Sequence, residues 1–223
     1  MRRIKACLFD LDGVICDTAK YHYLAWKAIG DELGITFTET DNERLKGISR
    51  MESLDILLSL GEKEYTQEEK EVLAHRKNEI YKEYIAKMTE DEILPGVLDL
   101  LRYLKKENIK IALGSVSKNA YTILTRLHLK EYFDNIVDGT CVKNAKPDPE
   151  VFLLGAKGVG VKPEECVVFE DSQAGLIAAK AGNMLAVGIG SPEILTKADI
   201  HIYTFADVEP KELLKNLQSI EKI

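Results

Sequence analysis

The most constraining feature of this chain is a short apolar run that ends on two acidic residues. The run from Ile4 to Phe9 has the length and composition of a buried parallel strand. Asp10 and Asp12 follow it, separated by one leucine and followed by Gly13. Carboxylates at the end of a buried strand are costly unless a cation, a proton or a reaction accounts for them. The pattern indicates either a solvated acidic turn or a site where one carboxylate attacks, the other moves a proton and a metal ion holds both.

Composition excludes several classes of function. The 223 residues are 30% charged and 45% hydrophobic, which is typical of a soluble protein with one large or two modest domains. A net charge of −7 gives no reason to expect a nucleic-acid partner or an anionic membrane. The apolar runs are too short to span a membrane, and acidic residues interrupt the first one too early for a signal peptide. The cysteines lack paired metal-ligand spacing, so we expect reduced thiols in the cytoplasm: Cys7, Cys16, Cys141 and Cys166.

A block of helical pattern follows the first strand. Apolar residues between residues 19 and 89 recur at helical spacing, and no segment there shows strand alternation. The predicted helices run from Ala19 to Gly34, from about Leu54 to Gly61, and from about Gln67 to Met88. The block is therefore predicted to be a helical bundle of about 70 residues, a common size for a domain.

Beyond the turn signal Leu94-Pro95-Gly96, predicted strands alternate with predicted helices. The strands are placed at residues 109–113, 135–137, 166–169, 185–189 and 200–203, and the helices at 97–106, 118–129, 149–158, 174–181 and from about 210. This order predicts an α/β fold, a doubly wound parallel sheet with helices on both faces. The bundle is then an insertion: residues 1–15 and 93–223 form the α/β core, and residues 16–92 form an α-helical cap.

Polar side chains follow successive predicted strands, at the edge where ligands of open α/β sheets bind. They are Asp10 and Asp12, then Ser115, then Lys146 in the loop after the short strand, then Glu170 and Asp171. A hydroxyl beside backbone N–H groups suits an anion, a lysine suits a phosphoryl oxygen, and carboxylates suit Mg²⁺. We expect these groups to face one site.

Each polar group also has an ordinary structural explanation. Ser117 would cap the helix that follows Ser115, and Asp171 would cap the helix at Ala174. Lys146 would be a surface lysine before a helix, as most lysines are. The occurrence of polar clusters at successive strand ends favours a functional site over these separate explanations.

Together these residues make the chain resemble the haloacid dehalogenase-like superfamily of phosphotransferases, over essentially its whole length. The resemblance rests on Asp10-Leu11-Asp12-Gly13-Val14, Ser115, Lys146-Pro147 and Glu170-Asp171, in the expected order. It implies a Rossmann-like core and phosphoryl transfer, since the dehalogenase branch lacks the second aspartate.

The resemblance also implies roles for the matching residues. Asp10 is the nucleophile that becomes an aspartyl phosphate, and Asp12 is the general acid and base. Asp10, the main-chain carbonyl of Asp12, and Asp171 hold Mg²⁺, with Glu170 in support. The metal, Ser115 and Lys146 spread the charge of the transferred phosphoryl group.

Within this superfamily, the helical block resembles the β-phosphoglucomutase family. The matching segments are Asp17–His22 with Trp26, Leu45–Arg50 with Ser53, Arg76–Asn78, Ser115–Asn119 and Glu170–Gly175. The resemblance implies that Arg50 holds the second phosphate of β-glucose 1,6-bisphosphate. His22 and Lys77 would couple substrate binding to cap closure and to the placement of the acid/base aspartate. The substrate-binding residues implied are Thr18, His22, Trp26, Lys46, Gly47, Arg50, Ser53, Lys77, Val116, Ser117, Lys118 and Asn119.

The cap residues again have ordinary alternatives. Arg50 and Lys46 read equally as exposed cations at a helix end, His22 as a surface histidine and Trp26 as a core aromatic. Val116 departs from the family pattern, which we associate with a smaller residue. A position that acts through its backbone N–H accommodates valine, with a narrower pocket.

The expected function is that of a monomeric, Mg²⁺-dependent mutase. It would interconvert β-glucose 1-phosphate and glucose 6-phosphate through β-glucose 1,6-bisphosphate. A sugar-phosphate or phosphoglycolate phosphatase on the same fold is the nearest alternative, with water as the acceptor. A catalytically silent α/β binding domain is a third, against which the intact set from Asp10 to Asp171 argues.

Overall fold

The structure is a computed structural model that describes residues 3–45 and 48–220. The chain divides into two compact units, Met1–Asp17 with Thr89–Ile223 and Thr18–Met88. We refer to the first as the α/β unit and to the second as the helical unit. The helical unit is continuous in sequence, whereas the α/β unit consists of two segments.

Three of the four helices described in the helical unit begin at strong capping signals. The four helices are α1 (Ala19–Leu33), α2 (Glu39–Glu43), α3 (Arg50–Leu58) and α4 (Gln67–Ile85). Reciprocal capping boxes start the last three, because an acidic side chain three residues into the segment also accepts from the backbone N–H of the capping residue. The apolar spacing does not predict α2, since its five residues are all polar. The side chains that pack between helices include Trp26, Ile29, Leu54, Leu57 and Ala74.

A six-stranded sheet organises the α/β unit. Its strands are β1 (Ala6–Phe9), β2 (Lys110–Gly114), β3 (Asn135–Val137), β4 (Cys166–Glu170), β5 (Leu185–Ile189) and β6 (Ile200–Ile202). Their order is β3-β2-β1-β4-β5-β6, and every neighbouring pair is parallel. The order reverses between β1 and β4, the point at which doubly wound sheets bind ligands. The predicted doubly wound α/β fold is confirmed.

Helices cover both faces of this sheet. They are α5 (Val97–Lys106), α6 (Ala120–Arg126), α7 (Glu150–Gly158), α8 (Gln173–Ala181) and α9 (Pro210–Ser219). Leu8 of β1 packs in one core cluster with Phe152 of α7 and Leu176 of α8. Phe9, the next residue, stacks on Phe169 with ring centroids 4.8 Å apart. All four residues of β1 are buried, so side chains on both faces of this central strand are apolar. This is why its sequence is a continuous apolar run.

The helix predicted over residues 118–129 is shorter than expected. It begins at Ala120, with Asn119 at the N-cap, so the prediction that Ser117 caps it is wrong. The Oγ atom of Ser115 accepts from the N–H of Ser117, at 3.1 Å, and the Oγ atom of Ser117 accepts from the N–H of Asn119, at 3.3 Å. These bonds hold residues 115–119 in a turn ahead of the helix. His128, with a φ of 54°, lies just beyond its end.

Two further predictions concern thiols and membranes. Cys7 and Cys166 are buried and free, as expected of core thiols; Cys16 is also buried, and Cys141 is exposed. Over the described ranges, the structure contains no helix with the length and apolar character needed to span a membrane.

Candidate active site

The register of the sheet brings the predicted polar residues to one edge. Phe9 pairs with Leu113 of β2 on one side and with Phe169 of β4 on the other. The N–H of Asp10 donates to the carbonyl of Phe169 at 3.0 Å, so Asp10 follows its strand directly beside Glu170. Ser115 is likewise held at the end of β2, where its N–H donates to a carbonyl of β3 at 3.0 Å.

Lys146 joins two of these strand ends in a buried ion-pair network. Its Nζ atom lies 2.5 Å from Oδ1 of Asp10 and 2.7 Å from Oε1 of Glu170. Lys146 and Asp10 are each 7% exposed and Glu170 is fully buried. Removing either partner would leave an uncompensated buried charge. Lys146 is therefore not the surface lysine that its sequence context alone suggests.

The loop that carries Lys146 is fixed by its own hydrogen bonds. Glu150, the first residue of α7, accepts from the N–H of Lys143 at 3.0 Å and from that of Asn144 at 2.8 Å. The ammonium of Lys146 lies 4.9 Å from the centre of the Phe152 ring. That ring packs on Gly114, where an added Cβ would lie 2.7 Å from it. The Lys146 ammonium thus contacts the face of an aromatic ring and two carboxylates.

Both carboxylate oxygens of Glu170 already have partners. Oε2 accepts from the N–H and the hydroxyl of Ser172, each at 2.8 Å, and Oε1 accepts from Lys146. Gly175 packs against Oε1 so closely that a Cβ there would lie 1.7 Å away. Ser172 is also the N-cap of α8, so the alternative that Asp171 caps this helix is wrong. Glu170 therefore positions Lys146, and it is more fully engaged by protein hydrogen bonds than a free carboxylate would be.

Three acidic groups at this edge form a cluster suited to a divalent cation. Carboxylate oxygens of Asp10, Glu170 and Asp171 lie within 4.8 Å of one another. Gly13, at a φ of +77°, lets the turn after β1 approach Asp171, because a Cβ there would lie 2.0 Å from Oδ2. Asp12 lies in the same turn, where the N–H of Gly13 donates to the carbonyl of Cys16 at 2.8 Å. Hard oxygen ligands at this spacing fit Mg²⁺.

Burial and the crowding of carboxylates raise the pKa values of this cluster. Burial raises the pKa of Asp10 to about 7; the Lys146 ammonium opposes the shift, and Glu170 and Asp12 add to it. Burial also raises the pKa of Asp171 to about 8, with the neighbouring carboxylates adding to the effect. Burial alone would lower the pKa of Lys146, but attraction to Asp10 and Glu170 outweighs it and raises that pKa. One ammonium does not neutralise these carboxylates, and a bound cation would complete the balance.

A second loop packs beside the end of β2. Gly139 donates its N–H to the carbonyl of Ser117 at 3.2 Å. It also lies against the Val116 carbonyl, since a Cβ on Gly139 would be 2.1 Å from that oxygen. Ser115 is 1% exposed and Asn119 is 8% exposed. The turn over residues 115–119 is therefore held from two sides.

In the helical unit, Lys77 lies against the imidazole of His22 and two aromatic rings. Its Nζ atom is 2.8 Å from Nδ1 of His22 and 4.7 Å from the ring centres of both Trp26 and Tyr81. Lys77 is 2% exposed and Trp26 is 1% exposed. Burial and the Lys77 and Arg50 cations lower the pKa of His22 well below its usual value. The imidazole is therefore neutral and accepts a hydrogen bond from the ammonium.

Three other predicted residues of the helical unit are buried or hydrogen-bonded. The Nη2 atom of Arg50 donates to Oδ1 of Asn78 at 2.8 Å. Thr18 is fully buried at the N-cap of α1, and Ser53 is 5% exposed on α3. Lys46 and Gly47 lie outside the described residues.

Several residues that support the site were not predicted from the sequence. Ser172 was recoverable, because a serine before a helix at a strand end is a capping signal. Asn78 and Gly139 act through contacts between segments distant in sequence, which no local pattern reports. Tyr81 and Phe152 contact lysines four and six residues away, but their sequence patterns indicate only core aromatics.

Comparisons with known proteins agree with this geometry. Residues 4–183 match the family model described as haloacid dehalogenase-like hydrolase. The chain is 48% identical over 207 residues to the β-phosphoglucomutase of Bacillus subtilis, with 92% of each protein covered. It is 34% identical over 221 residues to the phosphorylated carbohydrates phosphatase of Thermotoga maritima, covering 97% of this chain and 100% of that protein.

A solved structure gives the same answer at the level of the fold. The crystal structure of β-phosphoglucomutase from Clostridium difficile matches with a TM-score of 0.89 and 45% identity, over 95% of this chain and 96% of that one. The resemblance inferred from the strand-end residues is confirmed. The chain is therefore an enzyme of the haloacid dehalogenase-like hydrolase family and a homologue of the β-phosphoglucomutases.

Proposed function

We propose that this protein interconverts β-glucose 1-phosphate and glucose 6-phosphate through β-glucose 1,6-bisphosphate. The observation that carries the proposal is the 48% identity to a β-phosphoglucomutase along 92% of both chains. The buried network of Asp10, Lys146 and Glu170 supports it, because it gives the chemistry a fixed nucleophile.

Asp10 is the proposed nucleophile. Lys146 binds one of its carboxylate oxygens, which fixes the plane of the group for in-line attack. An Asp10 oxygen bonds to phosphorus as the bond from phosphorus to the sugar oxygen breaks. Asp12 gives its proton to the departing sugar oxygen and later takes one from the sugar hydroxyl that attacks the aspartyl phosphate. The second transfer returns Asp10 to its starting state.

The residues present fit Mg²⁺, and we propose Asp10, Asp171 and the main-chain carbonyl of Asp12 as the protein ligands. A bound Mg²⁺ would neutralise charge on the phosphoryl oxygens. Glu170 is assigned to Lys146 instead, because its oxygens are engaged by Lys146 and Ser172. Its contribution to metal binding is then indirect, through the placement of its neighbours.

The turn over residues 115–119 is the proposed anion site of the α/β unit. Ser115 and the backbone N–H of Val116 would bind phosphoryl oxygens, and Ser117, Lys118 and Asn119 would bind a sugar phosphate. The contacts of Gly139 with this turn support the role, because they hold its backbone in place. A valine side chain at position 116 is compatible with binding through the backbone.

The helical unit is proposed to hold the other end of the substrate. Arg50 would bind the second phosphate through its planar fork, with Lys46, Gly47 and Ser53 nearby in sequence. Lys77 and His22 form a buried pair beside Trp26, and they are proposed to link substrate binding to the closing of the two units over the site. Thr18 completes the proposed set.

The wider assignments stay proposals of the same kind. We propose a catalytic core of residues 1–15 and 93–223 with a cap of residues 16–92, acting as a monomer in the cytoplasm. The named relatives support small sugar phosphates as partners, and the net charge of −7 gives no reason to expect a nucleic acid or an anionic membrane.

A phosphatase acting on sugar phosphates is the second candidate. The relative from Thermotoga maritima, 34% identical over 97% of this chain, is named a phosphorylated carbohydrates phosphatase. The same groups would serve, with water instead of a sugar hydroxyl attacking the aspartyl phosphate.

One assay separates the candidates. The protein is incubated with β-glucose 1-phosphate, Mg²⁺ and a trace of β-glucose 1,6-bisphosphate, and both glucose 6-phosphate and free phosphate are followed. The mutase proposal requires that glucose 6-phosphate dominates. Predominant phosphate release would establish the phosphatase instead, and no turnover at all would favour a silent binding domain.

A further inference from the structure

We propose that Asn78 is a positioning residue that orients the guanidinium of Arg50 and leaves its charge available to a phosphate. The inference rests on the proposed function, in which Arg50 binds the second phosphate of a sugar bisphosphate. It assigns a role to a residue of α4 whose part in the reaction neither the sequence pattern nor the family resemblance specified.

The contact itself joins two helices of the helical unit. Arg50 is the first residue of α3, and its Nη2 atom donates to Oδ1 of Asn78 on α4 at 2.8 Å. The pair is part-buried, so water competes only partly for the bond. One hydrogen bond at one end of a planar fork fixes the plane of the guanidinium, and the remaining N–H groups keep their directions.

A carboxylate lies close behind this amide in sequence and in space. Glu79 pairs with Lys82 at 2.9 Å and with His75 at 3.9 Å. Burial lowers the pKa of Arg50 while attraction to Glu79 opposes the shift, so the two side chains are within electrostatic range. The Lys82 ammonium lowers the pKa of Glu79, and a hydrogen bond from Asn78 adds to the effect. The Asn78 side chain therefore accepts from the cation with its oxygen, beside a carboxylate that is engaged by Lys82.

The chemistry of the amide explains why asparagine suits this position. A carboxylate in contact with Arg50 would form a bidentate ion pair and compete with a phosphate for the same N–H groups. An amide accepts one N–H without adding negative charge. Within the described residues, no carboxylate lies within ion-pair distance of Arg50. The guanidinium is thus oriented but not neutralised.

The test measures binding of β-glucose 1,6-bisphosphate, by calorimetry, to protein that carries Asp10→Asn and cannot turn over. In that background, Asn78→Asp is expected to weaken binding by about tenfold or more, since it places a carboxylate on Arg50. Asn78→Ala is expected to weaken binding by a smaller factor, since it only frees the guanidinium. Glu79→Gln is the matched control at the adjacent position, and it should leave the affinity unchanged or slightly higher. Inorganic phosphate serves as a second probe.

Two further readouts distinguish positioning from a general structural effect. With Asp10 intact, Asn78→Asp should raise the KM for the bisphosphate and leave hydrolysis of acetyl phosphate unchanged. The double variant Arg50→Ala/Asn78→Asp should bind the bisphosphate no more weakly than Arg50→Ala alone, because the two residues act through one contact.

The outcomes separate this inference from the function on which it rests. If Arg50→Ala weakens bisphosphate binding and Asn78→Asp does not, the positioning role is wrong and the function stands. If Asn78→Asp weakens binding equally in the presence and absence of Arg50, the role is also wrong. If Arg50→Ala itself leaves binding unchanged, both the assignment of Arg50 and this inference fall.

Discussion

Lys146 in the α/β unit and Lys77 in the helical unit are both almost fully buried, and the contacts described for the two side chains differ in kind. Lys146 contacts the carboxylates of Asp10 and Glu170, at 2.5 and 2.7 Å. Lys77 contacts a neutral imidazole at 2.8 Å and two aromatic rings. The contacts described for Lys146 therefore include two buried ion pairs, whereas those described for Lys77 include an imidazole and two aromatic faces.

The difference assigns the two clusters different parts of one task. The α/β cluster holds more carboxylate than cation, and a phosphate would be repelled there until a metal ion is bound. In the helical unit, Arg50 is held by the neutral amide of Asn78, and no carboxylate of the described residues lies within ion-pair distance of its guanidinium. Under the proposed function, one phosphate of the substrate would bind to Arg50, and the other would depend on the metal and carboxylate chemistry of the α/β cluster.

The largest expected effect comes from replacing each lysine by methionine. Lys146→Met leaves Asp10 and Glu170 buried without their cation, so we expect the free energy of unfolding to fall by roughly 3–5 kcal/mol and turnover to be nearly lost. Lys77→Met keeps the packing on the two rings and should change stability by less than about 1.5 kcal/mol. Urea unfolding of both variants in EDTA measures the difference. Equal losses would break the comparison.

Metal binding is expected to stabilise only the α/β cluster, and increasingly so as pH rises. Both shifted carboxyls have folded-state pKa values above their ordinary 3.8, about 7 for Asp10 and about 8 for Asp171. Protonation therefore favours the folded, metal-free protein, and that contribution is lost as pH rises from about 4 through about 8. Mg²⁺ needs the deprotonated groups, so its stabilising effect should grow over the same window.

Thermal unfolding with and without Mg²⁺ measures this effect. Asp171→Asn should remove most of the Mg²⁺-dependent rise in Tm, and Glu79→Gln in the helical unit should leave it intact. A rise in Tm that is independent of pH, or that persists in Asp171→Asn, would show that the metal binds elsewhere.

Arg50→Ala tests the part that the helical unit plays in mutase turnover. It removes a cation assigned to the distal phosphate, so mutase turnover should fall at least about tenfold. Hydrolysis of a small phosphoester such as acetyl phosphate needs only the α/β cluster and should change little. Steady-state rates with both substrates give the ratio, and equal losses would undo the assignment.

The smallest expected effect concerns the turn over residues 115–119. Gly139→Ala places a Cβ against the Val116 carbonyl and should weaken the binding of inorganic phosphate several-fold, by about 1 kcal/mol. Gly158→Ala is the matched control, because the atoms nearest to its Cβ would belong to the Asn135 side chain at the start of β3. The turn is not an anion site if both variants bind phosphate alike.

The sequence predicted the α/β cluster better than the helical one for a physical reason. In a parallel sheet, strand ends meet at one edge, so polar residues after Phe9, Gly114 and Phe169 had to converge whatever the details of packing. β1 and β4 could be predicted as strands because both of their faces are buried, which makes their sequences continuous apolar runs.

The details that escaped prediction depend on packing between distant segments. The bond from Arg50 to Asn78 spans 28 residues, and the contact of Lys77 with His22 spans 55. Helical spacing fixes which residues share a face of one helix but not which face of another helix they meet. The start of α6 at Ala120 was missed because side-chain bonds of Ser115 and Ser117 compete locally with the helix.

The most direct test is to locate the phosphoryl group on the protein. The wild-type chain is mixed with Mg²⁺ and β-glucose 1,6-bisphosphate, quenched in acid within milliseconds, and reduced with borohydride, which converts an acyl phosphate to an alcohol. Peptide mapping should then find Asp10 converted to homoserine, and Asp10→Asn should give no conversion. Conversion at another carboxylate, or a phosphoryl group that survives borohydride, would contradict the assignment of Asp10 as the nucleophile.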